Sequence, residues 1–311
     1  MTETRTADGI ERVVLAQAGG LDTAVAIPWL ADTYRAEIIA VTIDIGQRKE
    51  WLEEVRDRAL ATGAVRAHVV DVREEFARDY LVRGLKAGLF RDDPSSMIET
   101  LARPIIAQTL VSIAGIEHAR AVAHGDRGGS GGAALATAVR ALDPALSVLA
   151  VPSSMSTPRD DRTELAKLAT AWPDEPAYVE IAWQRGAPTG VNGVAMPWLD
   201  LVGSLDILAR AHGVGPSPLV ALDVAHQALE KTTISSDAER FGERVADEYF
   251  RMLHDGSWFS PMRQALDAYV DRIQERVGGI VRLKLFQGEC TVVECQVSAP
   301  PAPTIIPVAR A

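Results

Sequence analysis

Val13-Val14-Leu15-Ala16-Gln17-Ala18-Gly19-Gly20-Leu21-Asp22-Thr23-Ala24 reads as an apolar strand that runs into a glycine pair and then into a helix carrying Val25, Ile27, Trp29 and Leu30. Two adjacent glycines let the backbone approach a bound anion, and a helix start presents free N–H groups where negative charge is best tolerated. Asp22 and Thr23 suit the first turn, because their side-chain oxygens cap backbone N–H groups. Asp22 is also a candidate ligand for a Mg²⁺ ion that bridges phosphates. For a bare Gly-Gly an ordinary strand-to-helix turn is the better reading, so the rest of the chain has to decide between the two.

A second apolar run, Glu37-Ile38-Ile39-Ala40-Val41-Thr42-Ile43, ends in the polar turn Asp44-Ile45-Gly46-Gln47. Further β-branched runs at 66–72, 120–123 and 146–151 alternate with helical patterns at 50–63, 74–89 and 100–117. Alternation of this kind predicts a parallel α/β sheet. Ligands collect at the carboxyl ends of the strands in such sheets. That rule draws Ala18–Thr23, Asp44–Gln47 and the loop from His124 to Gly132 around one crevice.

Beyond about residue 172 the pattern changes. Residues 178–184 and 188–194 read as a hairpin turning on Arg185-Gly186-Ala187, and 279–286 with 289–297 as a second hairpin about Gln287-Gly288. Helices are expected at 197–212, within 223–254 (one or two), and at 258–277. The expected organisation is a nucleotide-binding α/β domain over 1–172, a smaller α+β domain over 173–297, and a Pro-rich disordered tail over 298–311.

The net charge of −10 and the lack of a basic run argue against a nucleic-acid partner. No apolar stretch reads as long enough to span a bilayer, and Met1 to Gly9 has no signal-peptide core, so no membrane partner is expected. The two cysteines, Cys290 and Cys295, do not make a disulfide framework and are expected near each other on the last hairpin as reduced thiols. The six histidines show no metal-ligand spacing. A cytoplasmic location is the resulting expectation.

The two opening stretches resemble the argininosuccinate synthases, ATP-pyrophosphatase-type ligases that carry Ala-Tyr-Ser-Gly-Gly-Leu-Asp-Thr-Ser and a similar Asp-Ile-Gly-Gln. The resemblance continues through Leu101-Ala102-Arg103-Pro104, Ala123-His124-Gly125, Ala211-His212-Gly213-Val214-Gly215, Gly256-Ser257-Trp258-Phe259-Ser260-Pro261 and Gly279-Ile280-Val281-Arg282-Leu283. It implies a Rossmann-like nucleotide-binding sheet, ATP and Mg²⁺ as cofactors, and small-molecule substrates. ATP activates the ureido oxygen of citrulline as an adenylate, and the amine of aspartate displaces AMP. By this likeness, Ala16, Gly19, Gly20, Leu21, Asp22, Thr23, Ile43, Gly46 and Gly125 border the nucleotide, with Asp22 and Thr23 in the catalytic turn. Thr100, Arg103, Arg127 and Ser130 fall on the substrate side.

Departures from the family pattern are concentrated there. Gln17 replaces a Tyr, and Ala18 and Ala24 replace serines, each lost hydroxyl being worth roughly 1.5–3 kcal/mol toward a charged acceptor. The family's Ala-Thr-Gly-Lys-Gly-Asn-Asp-Gln-Val-Arg becomes Asp126-Arg127-Gly128-Gly129-Ser130-Gly131-Gly132-Ala133-Ala134-Leu135, so glycines stand at the Asn-Asp pair. Those glycines permit an anion nest to which Arg127 and Ser130 add donors, or simply a surface loop. Arg103 reads equally as a helix-start residue and as a ligand contact. Two family segments are missing, and the C-terminal arm used in assembly is shortened, although a homo-oligomer is still expected. Three readings stay open: a ligase with a different substrate pair, a non-catalytic paralogue, and an argininosuccinate synthase in arginine biosynthesis.

Overall fold

A computed structural model describes residues 10–17, 23–91, 94–125, 130–152, 172–215 and 217–298. The opening run forms β1 (Arg12–Gln17), with Val13, Val14 and Leu15 wholly shielded from solvent. β2 (Glu37–Asp44) is buried from Ile38 to Asp44, and β4 (Ala121–Gly125) from Ala121 to His124. Parallel strands are covered on both faces, which is why these segments are continuous apolar runs with no alternation. With β3 (Arg66–Asp71) and β5 (Ser147–Val151) they make an all-parallel sheet ordered β3-β2-β1-β4-β5. The chain winds outward from β1 in one direction, then returns to β4 on its other side.

Helices cover this sheet. α1 (Thr23–Tyr34) sets Ala26, Ile27 and Leu30 into the core beside Val13, Leu15, Ile38 and Ala40. α2 (Lys49–Ala61) buries Leu52, Val55 and Ala59, the stripe expected of an amphipathic helix. After β3, the helix predicted at 74–89 forms in pieces: α3 (Arg73–Glu75), a π-turn over Phe76–Leu81, and α4 (Val82–Lys86). α5 runs from Pro94 to Glu117, beginning six residues earlier than the expected start at 100. Proline is well suited to a first helical turn, since its missing N–H has no partner to lose there. α6 (Ser130–Leu142) comes after β4.

α5 also corrects the expectation about membrane-length segments. It is long and apolar enough to cross a bilayer by length and composition, yet 61% of its apolar window is buried inside the protein, as in a core helix.

The chain divides into two compact units that interleave along the sequence. One draws on Met1–Leu81, Ser96–Thr170 and Asp247–Arg263, the other on Val82–Ser95, Ala171–Ala246 and Gln264–Ala311. In the first unit Trp258 is buried, stacked on Tyr80 at 5.8 Å between ring centroids and tilted against Tyr249 at the same distance. Gly256 makes that approach possible: it has φ of 81°, and a Cβ there would fall on the carbonyl oxygen of Ala134 in α6.

The second unit holds an antiparallel sheet ordered β10-β9-β6-β7-β8: β6 (Ala177–Gln184), β7 (Ala187–Val191), β8 (Val194–Ala195), β9 (Gly279–Phe286) and β10 (Glu289–Val297). Both expected hairpins form on two-residue turns. Arg185 and Gly186 have φ of 51° and 71°, and Gln287 and Gly288 have 48° and 87°, the paired positive angles that match strand twist. Val179, Ile181 and Trp183 alternate inward with Val281, Leu283 and Leu285. Among the described residues four further helices follow: α7 (Trp198–Ala211), α8 (Leu219–Thr233), α9 (Ser236–Asp255) and α10 (Pro261–Gln274). The single helix expected at 258–277 is instead a 3₁₀ turn, Ser257–Phe259, with α10 after it.

Gln274 anchors α10 within this unit. Its amide nitrogen donates to Glu230 Oε1 at 2.7 Å and to the Lys86 carbonyl at 3.0 Å, which leaves its oxygen as the acceptor for His226 Nε2 at 2.9 Å. The donor pattern therefore sets the imidazole tautomer, with the proton on Nε2. Cys290 and Cys295 are free thiols on β10, and burial pushes the Cys290 thiol up to about 11.

Candidate functional site

The site is built where the parallel sheet changes direction. β1 neighbours β2 on one side and β4 on the other, so the carboxyl ends of these three strands meet at the topological switch point. Ala16, the penultimate residue of β1, is buried opposite Val41. Gly19, Gly20, Leu21 and Asp22 come next and lie outside the described residues. Thr23 is the first residue of α1. Among the described residues no cluster of three or more His, Cys, Asp or Glu could hold a metal ion.

Gln17 closes β1 with its side chain folded into the sheet. Its Oε1 accepts a hydrogen bond from the Thr42 hydroxyl at 3.0 Å, and among the described residues its buried Nε2 has no hydrogen-bond partner. An orphaned buried donor costs free energy until an acceptor arrives. Sited at the end of β1, it suits a strand edge that receives an oxygen-rich ligand.

The β2 turn is fixed by three local hydrogen bonds. Asp44 Oδ1 accepts from the Gly46 N–H at 2.8 Å, Gln47 Oε1 from the Ile45 N–H at 2.7 Å, and the Ile43 carbonyl from Gln47 Nε2 at 3.1 Å. Gly46 has φ of 118° and open space where a Cβ would stand, so glycine is required here by backbone angle alone. Arg73 lies 3.5 Å from Asp44 Oδ2 and is held mainly by Asp71 at 2.7 Å. The Arg73 hydrogen bonds keep the Asp71 carboxyl below its usual range. Gly125, at the end of β4, is exposed.

On the substrate side, Thr100 is buried in α5 and gives its hydroxyl proton to the Ser96 carbonyl at 3.0 Å, within the helix. Arg103 stands well inside α5, which rules out the helix-start reading. Its guanidinium lies against the first turn of α6: a Cβ built on Gly131 would sit 3.5–3.6 Å from Nη2, Cζ and Nε. Among the described residues its buried Nη1 has no hydrogen-bond partner, and burial pushes the Arg103 pKa down. Ser130 opens α6; its side chain, like all of Arg127, is outside the described residues. His254, in the last turn of α9, has its pKa lowered by burial and then by the charge of Arg103.

Sequence reasoning had no means of finding Thr42 or His254. Thr42 is one polar residue in an apolar strand, and His254 is about 150 residues from Arg103. Gln17 was visible only as a departure from a motif.

A family model described as Arginosuccinate synthase N-terminal HUP domain matches residues 12–171, and one described as Arginosuccinate synthase C-terminal domain matches 216–299. The chain belongs to the argininosuccinate synthase family. It is 35% identical to the argininosuccinate synthase of Caldanaerobacter subterraneus subsp. tengcongensis, over 89% of this chain and 84% of the relative. The corresponding protein of Moorella thermoacetica is 36% identical over 90% and 85%, and that of Thermoanaerobacter pseudethanolicus 33% over 93% and 86%. The first alignment spans 345 positions against the 311 residues of this chain, so the argininosuccinate synthase carries residues that are absent here. This is a family of ATP-using ligases that act on small molecules, and the α/β sheet expected from the first strand and turn is its N-terminal HUP domain.

Proposed function

We propose that this chain is an ATP-dependent, AMP-forming carbon–nitrogen ligase. The observation that carries the reading is that the carboxyl ends of β1, β2 and β4 meet at the switch point, where β2 runs into the Asp44–Gln47 turn and β4 ends at Gly125. Gly19, Gly20, Leu21 and Thr23 would cradle the phosphates through backbone N–H groups, and Ala16, Ile43, Gly46 and Gly125 would border the adenosine. Asp22 would hold Mg²⁺, whose charge offsets that building up on the departing pyrophosphate. A ureido or carbonyl oxygen attacks the α-phosphorus, the α–β bridging bond breaks, and pyrophosphate leaves. An amine then adds to the activated carbon and AMP departs. Most of the acceleration in such a site comes from positioning and charge neutralisation.

The substrate pair differs, in this proposal, from citrulline and aspartate. Support comes from Gly131 and Gly132, which cannot supply the side-chain bonds of an Asn-Asp pair, and from the shortened chain. A second reading, argininosuccinate formation itself, is favoured by identity with argininosuccinate synthases along nearly the whole chain. Pyrophosphate release with citrulline plus aspartate, against citrulline plus other amines, separates the two. A cytoplasmic, homo-oligomeric enzyme is the setting proposed for either.

A further inference from the structure

β2 and β3 end on a pair of like charges. Asp44 and Asp71 are register partners at the carboxyl ends of the two strands, where their charges repel. Arg73, two residues beyond Asp71, folds back toward both. Its Nε and Nη2 donate to the two Asp71 oxygens at 2.9 and 2.7 Å, and its backbone N–H donates to Asp71 Oδ1 at 3.1 Å. Nε also stands 3.5 Å from Asp44 Oδ2. The planar fork on Asp71 sets the orientation of the guanidinium, and one positive charge then serves two carboxylates.

Asp44 is the receiving end of this arrangement. It is buried, whereas Arg73 and Asp71 are exposed. One of its oxygens faces Arg73, and the other accepts from the Gly46 N–H at 2.8 Å, where the backbone turns at φ of 118°. The main chain is tied at the same point, since the Val72 N–H donates to the Asp44 carbonyl at 3.0 Å. A carboxylate engaged at both oxygens cannot rotate without giving up a partner, so the Arg73 contact also holds the bond to Gly46. We infer that Arg73 is a positioning residue for the nucleotide: acting through Asp44, it presets the Asp44–Gln47 turn against which the adenosine rests. This rests on the ligase reading above, which uses Gly46 and leaves Arg73 without a task. The part of the nucleotide that depends on Arg73 is then the nucleoside and not the pyrophosphate.

The test is calorimetric titration of the full chain with Mg-ATP, with AMP and with magnesium pyrophosphate. Arg73→Gln is expected to raise Kd about tenfold for Mg-ATP and for AMP, and to leave pyrophosphate unchanged. Arg73→Lys keeps the charge and loses the fork, so it should recover only part of the affinity. In an Asp44→Asn background the same Arg73→Gln change should cost less than about twofold, because the route through Asp44 is already cut. Unchanged nucleotide affinity in Arg73→Gln, with a lowered melting temperature, makes Arg73 a structural tie only and overturns the inference. A loss that extends to pyrophosphate and fades with added salt overturns it as well, since that is charge repulsion and not positioning. So does a tenfold loss that persists in Asp44→Asn. Native protein that binds neither nucleotide removes both the positioning role and the ligase reading. If the expected pattern holds while no substrate pair releases pyrophosphate, the role of Arg73 stands and the ligase reading falls.

Discussion

Thr42 gives its hydroxyl proton to Gln17 across the β1–β2 pair at 3.0 Å, and both side chains are buried. The bond fixes the last residue of β1 before the glycine turn, using a side chain that replaces the family's tyrosine. Thr42→Val keeps the shape and removes the donor, leaving the amide oxygen of Gln17 without its bonded partner. The expected loss is about 1–3 kcal/mol of unfolding free energy in urea, with an unchanged denaturant slope. Stability equal to the native protein would mean the pair has no role in holding the edge.

Gly46→Ala isolates backbone strain, since a methyl group there meets no neighbour and the only obstacle is φ of 118°. A cost of about 1–3 kcal/mol is expected, localised to the turn. Weakened ATP binding with a global melting temperature little changed is the predicted pattern, read by calorimetric titration and thermal unfolding.

Gln274→Leu breaks three hydrogen bonds at once, orphaning Glu230 Oε1, the Lys86 carbonyl and His226 Nε2. Buried networks of this kind fail together, so destabilisation of about 2–4 kcal/mol is expected. A loss under about 0.5 kcal/mol would show that the network is not cooperative.

Glu117 sets a pH dependence. Its carboxylate accepts from Arg66 at 2.6 Å and pairs with His68 at 2.8 Å, and it is almost wholly buried. The Arg66 hydrogen bond holds its pKa below the usual range against the opposing effect of burial, with His68 adding to the lowering. A carboxyl with a depressed folded-state pKa contributes stability above its unfolded value, near about 4.3, and loses it as pH falls through the folded one. Glu117→Gln should therefore be less stable than native at pH 7, with the gap closing below about pH 4.3. A gap that widens on acidification would reverse the assignment.

Much of the fold was readable from the chain, for identifiable reasons. β1 and β2 are uninterrupted apolar runs because both faces are covered. The two hairpins declare themselves through Arg185-Gly186 and Gln287-Gly288, where positive φ is obligatory. Local pattern failed where tertiary placement decides. The helical pattern reads from residue 100, yet α5 starts at Pro94. The π-turn at Phe76–Leu81 has no sequence marker. On the site, Arg103 reads equally as a helix-start residue and as a ligand contact from the sequence; α5 extends nine residues before it, which removes the first reading. The interleaving of the two units is likewise invisible to any reading that proceeds along the chain.

Asp22→Asn should abolish magnesium-dependent ATP binding while leaving the melting temperature near native, because the exchange removes a charge and keeps the side-chain size. Unchanged Mg-ATP affinity, read by calorimetry, would remove Asp22 from the site.

The most direct test of the account is pyrophosphate release from Mg-ATP by the purified protein, with citrulline and a panel of carboxylate-bearing amines that begins with aspartate. Release that requires ATP, Mg²⁺ and a carbonyl or ureido substrate together is the result the ligase account predicts. No release above background with any pair, from protein that binds Mg-ATP, would contradict it.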